Sequence, residues 1–380
     1  MESRRYNESV SSVLLVLALI WAQAPAAPPA EALRLIEEGR ATEAIPILED
    51  AARKEPSSAA IQFQLGYALS AAGEDERAIA AFRRVLELQP ELRAAKLNLA
   101  HLLVKTGKAA EARPLLEQCL EQQPDDAKAA WLLGRALAQM GEWRAAAEAF
   151  EKAARREPDD AELALALAQA WERAGERRRA AEIYARFPDN PAALERLGVM
   201  EMESGSLEAA IRHLESVRSR GATPAVLYAL ATAYLRNRQL EQAAAVAEAL
   251  AAAEPANAEV RLFYGRILRD QKKYAEAARQ FEAATRLRPD SGEAWNELTA
   301  ALMLSRQYEA ALEALERARQ INGETPAYDY FRATMLDAMN QPKAALASYR
   351  KFLAASHGAH PDEEFKARQR VRILEKVAGR

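Results

Sequence analysis

Cysteine is almost absent from this sequence. Its 380 residues contain a single one, Cys119, so no disulfide bond can form within the chain. This scarcity fits an exported protein that avoids cysteine, and it fits an intracellular protein equally well. Cys119 falls where equivalent segments of the chain carry alanine or valine, at an inward position of a predicted helix. We therefore expect it to be buried core rather than a reactive thiol.

Histidine is also scarce, which limits metal chemistry. Among the four histidines, only His357 and His360, followed by Asp362, are close enough in sequence to suggest a set of metal ligands. Their spacing is short and a glycine lies between them, as in a connecting segment. We therefore expect no metal site.

The motifs of common enzyme classes are missing as well. The sequence has no glycine-rich phosphate loop, no G-x-S-x-G, no H-E-x-x-H and no paired C-x-x-C. We therefore expect neither catalysis nor a bound cofactor. The 52 basic and 55 acidic residues leave a net charge of −3, so no overall positive field would recruit nucleic acid.

What the sequence does contain is a periodic helical pattern, clearest in residues 127–160. Apolar residues fall at helical spacing in two short segments, one before and one after Gly141. Glycine suits the left-handed backbone that ends many helices, and Pro158 disfavours helical geometry in the residue before it. The pattern predicts two amphipathic helices joined by a turn. Neither helix could bury its apolar face alone.

The same pattern recurs along the chain, mostly at intervals of 34 residues. Each copy is marked by an alanine in its second helix and by a small residue twelve positions earlier, in its first helix. The alanines are Ala44, Ala78, Ala112, Ala146, Ala180, Ala210, Ala243, Ala277, Ala311 and Ala345. Four of the small residues are the glycines Gly66, Gly134, Gly198 and Gly265. Glycine inside a helix costs about 1 kcal/mol relative to alanine, so these positions predict two helices that cross closely.

The period, the paired helices and the recurring small, aromatic and proline positions resemble the tetratricopeptide repeat (TPR). That family has a 34-residue helix–turn–helix unit with the pattern W-x₂-L-G-x₂-Y…A-x₃-F…P. In residues 127–160, the matching residues are Leu133, Gly134, Ala146, Phe150 and Pro158, whereas Leu137 stands at the tyrosine place and Trp131 one residue after the tryptophan place. The resemblance covers roughly residues 30–357. It implies an exported bacterial member of the family with an all-α fold, a right-handed α-solenoid of stacked repeats.

The repeat pattern divides the chain into five segments. We interpret residues 1–26 as a signal peptide and residues 27–58 as a linker with an N-terminal capping repeat. Regular repeats form a first block at 59–190, whose last unit is cut to 30 residues by the prolines at 188 and 191, and a second block at 191–357. Residues 358–380 predict a C-terminal capping helix with a polar outer face.

The N-terminal segment has the layout of a secretory signal peptide. Arg4 and Arg5 precede the uncharged apolar stretch 13–21, and Ala24-Pro25-Ala26 provides the small residues of a cleavage site before Ala27. The stretch is shorter than the roughly 20 residues that span a bilayer. We therefore expect an exported protein, periplasmic or secreted. The alternative is an uncleaved anchor in the inner membrane, facing the periplasm.

In the family that this chain resembles, the first helix of each repeat lines a concave groove. Residues one helical turn apart point into that groove, which implies two rows of candidate peptide-binding residues in the first three regular repeats. The apolar row is Phe63, Leu97 and Trp131, and the polar row is Tyr67, His101 and Arg135. Large rings beside polar side chains suit a peptide segment with bulky residues. The alternative is that these side chains only pack between adjacent helices.

The resemblance implies a function in binding. We expect an exported, non-catalytic scaffold or adaptor that binds a protein or peptide segment in its groove and no nucleic acid. The carboxylate clamp of chaperone co-factors is not matched, because it places lysine and asparagine where this chain has Phe63, Leu97 and Trp131. The alternative function is an assembly factor tethered to the inner membrane by an uncleaved anchor. Only in that case would the protein contact a membrane.

Overall fold

The chain folds as a series of helix pairs. In the computed structural model, which describes residues 27–378, every regular element is a helix and no strand occurs within that range. The predicted signal peptide lies outside the described residues. In each pair the odd-numbered helix below is the first helix and the even-numbered helix is the second. The all-α repeat architecture predicted from the sequence is confirmed.

The N-terminal unit ends at Asn190. Its helices are α1 (Ala30–Glu37), α2 (Ala41–Lys54), α3 (Ala59–Ala71), α4 (Asp75–Leu88), α5 (Arg93–Lys105), α6 (Ala109–Gln122), α7 (Ala127–Gln139), α8 (Trp143–Ala154), α9 (Ala161–Arg173) and α10 (Arg177–Tyr184). Helix α10 has only eight residues, because the chain turns toward the two prolines at 188 and 191. The shortened fourth unit was predicted from those prolines.

The C-terminal unit begins at Pro191. Its helices are α11 (Pro191–Ser204), α12 (Leu207–Arg220), α13 (Pro224–Arg236), α14 (Leu240–Ala253), α15 (Ala258–Asp270), α16 (Tyr274–Leu287), α17 (Gly292–Leu304), α18 (Tyr308–Asn322), α19 (Pro326–Ala338), α20 (Pro342–Ser356) and α21 (Pro361–Ala378). Within each unit, every helix packs against the helices before and after it in the chain. This sequential packing makes each unit an α-solenoid.

First helices of neighbouring repeats also touch one another directly. Helix α5 contacts α7 in the N-terminal unit, and α11 contacts α13 and α15 contacts α17 in the C-terminal unit. Each unit therefore presents a surface built from first helices, which we call its first-helix face.

The turn between the two helices of each pair uses the left-handed backbone. Gly141 has φ 78°, and glycines with φ between 75° and 86° occupy the same place in the five other pairs up to residue 205. Further along the chain the same place is taken by Arg238, Lys272, Arg306 and Asn340, with φ between 56° and 62°. An L-residue with a side chain is strained in this region of backbone conformation. At the later turns, the packing of the flanking helices therefore holds the backbone in the left-handed conformation.

Several first helices are capped at their N-termini by hydrogen-bonding side chains. Asp126 precedes α7, and its carboxylate accepts hydrogen bonds from the backbone N–H groups of Lys128 at 2.9 Å and Ala129 at 3.1 Å. Asp160 and Asn257 make the same pair of bonds before α9 and α15. Such a cap is worth about 1 kcal/mol to a helix. It fixes where the first helix starts in each of these repeats.

The helical glycines mark close crossings, as predicted. A Cβ atom added to Gly66 would lie 3.1 Å from the ring of Phe82, and one added to Gly198 would lie 2.8 Å from Leu214. Each glycine faces the second helix of its own repeat, sixteen residues on. The core between the paired helices therefore has no room for a larger side chain at this position. Cys119 is fully buried in the same core, as expected.

The C-terminal helix α21 has a mostly charged outer surface, which also includes two apolar side chains. Its outer surface exposes Phe365 and Ile373, which are 61% and 48% accessible to solvent. The face toward α20 is apolar and includes Ala367 and Leu374, both buried. Along the described part of the chain, no helix combines the length and apolar character needed to cross a bilayer.

Candidate functional site

The two predicted rows lie on three first helices of the N-terminal unit. Phe63 and Tyr67 are on α3, Leu97 and His101 on α5, and Trp131 and Arg135 on α7. In each helix the two residues are four apart, which puts them on one side of the helix. Because α5 contacts α7 directly, the last four of these residues belong to adjoining parts of one first-helix face.

The members of the apolar row differ in exposure. Phe63 is only 2% exposed, and its ring meets that of Phe82 edge to face with 5.4 Å between ring centroids. It therefore supports the face from inside the core. Leu97 and Trp131 are half-buried and pack against the core while still reaching solvent. The accessible apolar surface of the row is provided by these two side chains.

Trp131 is fixed in place by an aromatic neighbour. Its ring lies 5.1 Å from that of Phe150 on α8, with an angle of 48° between the ring planes. Phe150 is buried against Gly134, so its position is tightly set. A half-buried indole held by such a support is preorganised, which lowers the entropy lost when a ligand packs on it.

The polar row places a hydrogen-bonding group one helical turn after each member of the apolar row. Tyr67, His101 and Arg135 are all half-buried. Lys128 lies one turn before Trp131 on α7 and reaches solvent, and the desolvation of its ammonium lowers its pKa. Along the three first helices, the polar positions carry a phenol, an imidazole and a guanidinium.

The sequence reasoning missed a more exposed aromatic pair in the C-terminal unit. Tyr228 on α13 is 52% exposed, and its ring lies 4.8 Å from that of Phe263 on α15. Tyr228 occupies the same repeat position as Trp131, but the equivalent residue of the next repeat, Leu262, is only 1% exposed. The sequence feature that could have indicated this aromatic pair is Phe263, which directly follows Leu262.

The C-terminal unit also contains an open cleft of about 690 Å³. It lies among α17, α18 and α19, with Trp295 and Leu336 among its apolar walls. Its rim is charged, but Arg319 already pairs with Glu316 at 2.7 Å and with Glu324 at 2.6 Å. The cleft has room for a side chain, and Arg319 on its rim is already paired with acidic side chains.

The histidines near the C-terminus do not form a ligand cluster. His357 ends α20 with a left-handed backbone, and the ring of His360 lies 6.3 Å from the ring of Phe352. Among residues 27–378, no three histidine, cysteine or carboxylate side chains are grouped so as to hold a metal ion.

Comparison with protein-family models matches most of the repeat region. The model described as the cytochrome c-type biogenesis protein H TPR domain matches residues 115–220. Two further models, both described as tetratricopeptide repeat, match residues 228–291 and the stretches 35–102, 76–136 and 268–335. No curated protein sequence matches the chain.

Several solved structures resemble parts of the chain. MamA from Desulfovibrio magneticus RS-1 is 29% identical, with 41% of this chain and 88% of that chain aligned and a TM-score of 0.39. MamA AMB-1 is 23% identical over 41% of this chain and 92% of its own, with a TM-score of 0.39. A structure of Naa15/Naa10 bound to HypK-THB is 16% identical over 89% of this chain and 66% of that one, with a TM-score of 0.45.

Proposed function

The chain belongs to the tetratricopeptide repeat family, and we propose that it is an exported, non-catalytic scaffold that binds a polypeptide segment along the first-helix face of its N-terminal unit. The observation that carries this proposal is the half-buried Trp131, which is supported from behind by Phe150, with the half-buried Leu97 at the same repeat position of the adjoining helix. Large aromatic side chains of this kind dominate the energy of most protein interfaces.

Binding is favoured over simple packing by how the exposed edge is surrounded. A side chain that only filled space between helices would be enclosed, as Phe63 is. Trp131 instead keeps solvent contact, and the polar side chain of Arg135 lies one helical turn further along α7. Apolar area gives affinity and nearby donors fix the register of a bound chain, so the combination suits a peptide.

The proposal of export rests on two observations. These are the sequence at 1–26, which resembles a signal peptide, and the description of one matching family model. That match, over residues 115–220, is to a domain named for cytochrome c-type biogenesis. We infer a periplasmic location and take a polypeptide handled during cytochrome c biogenesis as one class of partner. The alternative is an assembly factor that keeps its N-terminal segment as an inner-membrane anchor.

N-terminal sequencing of the protein from envelope fractions separates these two alternatives. A start at or near Ala27 supports export with cleavage, and an intact Met1 in the membrane pellet supports the anchor.

A site-specific crosslinking experiment tests the binding face. The photoreactive residue p-benzoylphenylalanine replaces Trp131 in one variant and Trp143 in the other. Trp143 is a matched control, because it is also half-buried and begins the second helix of the same repeat. We expect a crosslinked polypeptide, mapped by mass spectrometry to one recurring segment, only from position 131. Equal crosslinking from both positions, or none from 131, would contradict the proposal.

A further inference from the structure

The C-terminal end of the sequence is basic, although the chain as a whole carries a net charge of −3. Residues 342–380 contain nine lysine and arginine residues but only four aspartate and glutamate residues. The preceding 341 residues contain 43 basic and 51 acidic ones, so they are net acidic. Helix α20 has no acidic residue. The positive charge of the chain is therefore concentrated around its last two described helices.

The four acids of this end do little to offset its exposed cations. Glu364 is buried and hydrogen-bonded within the C-terminus, and Glu375 pairs with Arg350 at 2.6 Å. Asp362 and Glu363 lie in the first turn of α21, where negative charge complements the helix dipole. After that turn, α21 has no acid without a partner.

Three cations of α21 remain exposed. Arg368 and Arg370 are held in ion pairs, at 3.3 Å and 2.6 Å. Lys366, Arg372 and Lys376 are exposed, and no ion pair joins any of them to another described residue. These three side chains present their positive charge to whatever approaches α21.

Two large apolar side chains lie among these cations. Phe365 and Ile373 are 61% and 48% accessible to solvent, and their positions are about 12 Å apart along the helix axis. At about 100° per residue, both side chains and the three cations fall within roughly a third of the helix circumference, opposite the side that packs on α20. Gln369 lies in the same sector, and Asp362 is its single acid. We call this sector the outer face of α21, which is formed mainly by Phe365, Lys366, Arg372, Ile373 and Lys376.

The shape of the outer face favours a flat partner. Among the described residues, no other helix covers it, and it is one side of a single helix rather than a groove. A groove is needed to enclose an extended peptide, whereas one helix side can lie on a lipid surface. Basic side chains then reach the head groups, and apolar side chains enter the boundary with the acyl chains.

We propose that the outer face of α21 binds the surface of an anionic phospholipid membrane. Lys366, Arg372 and Lys376 contact lipid phosphates, and Phe365 and Ile373 insert between the head groups. With two inserted side chains, the contact is peripheral and reversible, and the helix lies on the membrane without crossing it. This contact needs no N-terminal anchor, and it goes beyond the polypeptide binding proposed for the N-terminal unit.

Vesicle flotation tests the inference on the chain from Ala27 onward, because the apolar stretch 13–21 would itself enter a bilayer. The vesicles contain phosphatidylcholine alone or with about 30% phosphatidylglycerol, which supplies the negative surface charge. We expect at least about tenfold stronger partitioning into the phosphatidylglycerol vesicles at about 100 mM NaCl. Most of this preference should be lost at about 500 mM NaCl, because salt screens exposed charges.

An apolar variant tests the inserted side chains. Phe365→Ser with Ile373→Ser should lower partitioning into phosphatidylglycerol vesicles at least about fivefold. The matched control is Leu304→Ser with Ile321→Ser, two side chains of the same unit that are 51% and 40% exposed, and it should leave partitioning unchanged. Circular dichroism confirms that both variants remain folded.

A charge variant tests the cations. Arg372→Gln with Lys376→Gln should lower partitioning at least about threefold and reduce its salt dependence. The matched control is Lys273→Gln with Arg279→Gln, two exposed cations that form no ion pair with a described residue. This control should bind the vesicles as the unaltered chain does.

A fluorescent label locates the contact. The one natural cysteine is buried, so the environment-sensitive fluorophore NBD can be attached selectively through Phe365→Cys. Its emission should brighten and move to shorter wavelength when phosphatidylglycerol vesicles are added. The same label attached through Leu304→Cys should not change.

Several outcomes would contradict the inference. These are no binding to either kind of vesicle, equal binding to both, no loss in either outer-face variant, and an unchanged NBD signal in bound protein. If the vesicles fail to bind but poly-L-glutamate binds through Arg372 and Lys376, the outer face recognises an acidic polypeptide instead. Crosslinking from position 131 is measured separately, so failure here leaves the polypeptide site of the N-terminal unit untouched.

Discussion

Gly134 lies directly against the ring of Phe150. A Cβ atom added to this glycine would come within 3 Å of three ring atoms. Gly66 and Phe82, and Gly265 and Phe281, are also sixteen residues apart, and an added Cβ atom would lie 3.1 Å and 2.5 Å from the nearest ring atom. The three phenylalanines at this place in the repeat are therefore each accommodated by a glycine. Where the second helix carries Leu116 instead, the first helix carries Ala100.

This relation predicts a coupling between the two positions. Gly134→Ala should destabilise the repeat by about 1 kcal/mol, because overpacking costs roughly 1–3 kcal/mol and outweighs the helix preference for alanine of about 1 kcal/mol. With Phe150→Leu in place, the same change should become neutral or stabilising, since the pair then resembles Ala100 and Leu116. Hydrogen exchange of the α7 and α8 amides measures both effects. A stabilising Gly134→Ala in the unaltered chain would show that the contact is not strained.

The left-handed turns give a second prediction. Arg306 adopts φ 61° at the place where Gly141 has φ 78°. A non-glycine residue pays roughly 1–2 kcal/mol for this backbone, so Arg306→Gly should raise stability by up to about 1 kcal/mol, after allowing for the greater entropy of unfolded glycine. Gly141→Ala should lower stability by a similar amount. Urea unfolding measures both variants, with Arg306→Ala as a control that keeps the Cβ atom and gains nothing. Equal destabilisation by Arg306→Gly and Gly141→Ala would contradict the strain argument.

Glu364 predicts a pH-dependent C-terminus. Its carboxylate accepts hydrogen bonds from the Ser356 hydroxyl and the Gly358 backbone N–H, both at 2.7 Å, and these bonds lower its pKa, the serine bond most. Because the folded pKa is lowered, the stabilisation is fully present above the unfolded value near 4.5 and is lost as pH falls through the folded value. Hydrogen exchange of α21 between neutral pH and the acid range should show earlier opening in acid. Glu364→Gln should flatten this dependence, and Glu363→Gln should leave it unchanged.

Much of this fold can be predicted from the sequence, because the two helices of every repeat pack against each other in the same way. The helical glycines predicted the close crossings, and Pro188 and Pro191 predicted the short α10. The solvent exposure of the candidate site residues was harder to predict from the sequence. Phe63 and Trp131 share one repeat position, yet the first is enclosed and the second reaches solvent. The position of a residue within the repeat determines the side of the helix on which it lies. How deeply its side chain is buried depends on the sizes of the neighbouring side chains in adjacent repeats.

The same limit explains Tyr228, which the sequence did not single out. Its exposure depends on which residues flank it on α11 and α15, and those helices lie at least 24 residues away in the chain. The charge of the first-helix face, by contrast, follows from the sequence once the helices are assigned. The first helices α3, α5 and α7 carry no acids, whereas the second helices α4, α6 and α8 carry both acids and bases.

The variant Trp131→Ala tests most directly whether the first-helix face of the N-terminal unit binds a polypeptide. Affinity for the segment captured by crosslinking and the thermal midpoint are measured on the same preparation, with Trp143→Ala as control. If Trp131 anchors a ligand, its loss should weaken binding by about 2 kcal/mol or more, roughly thirtyfold, while helical content stays intact and Trp143→Ala leaves affinity unchanged. If Trp131 only packs, stability should fall by about 3–5 kcal/mol with no binding loss beyond unfolding, and the claim would be wrong.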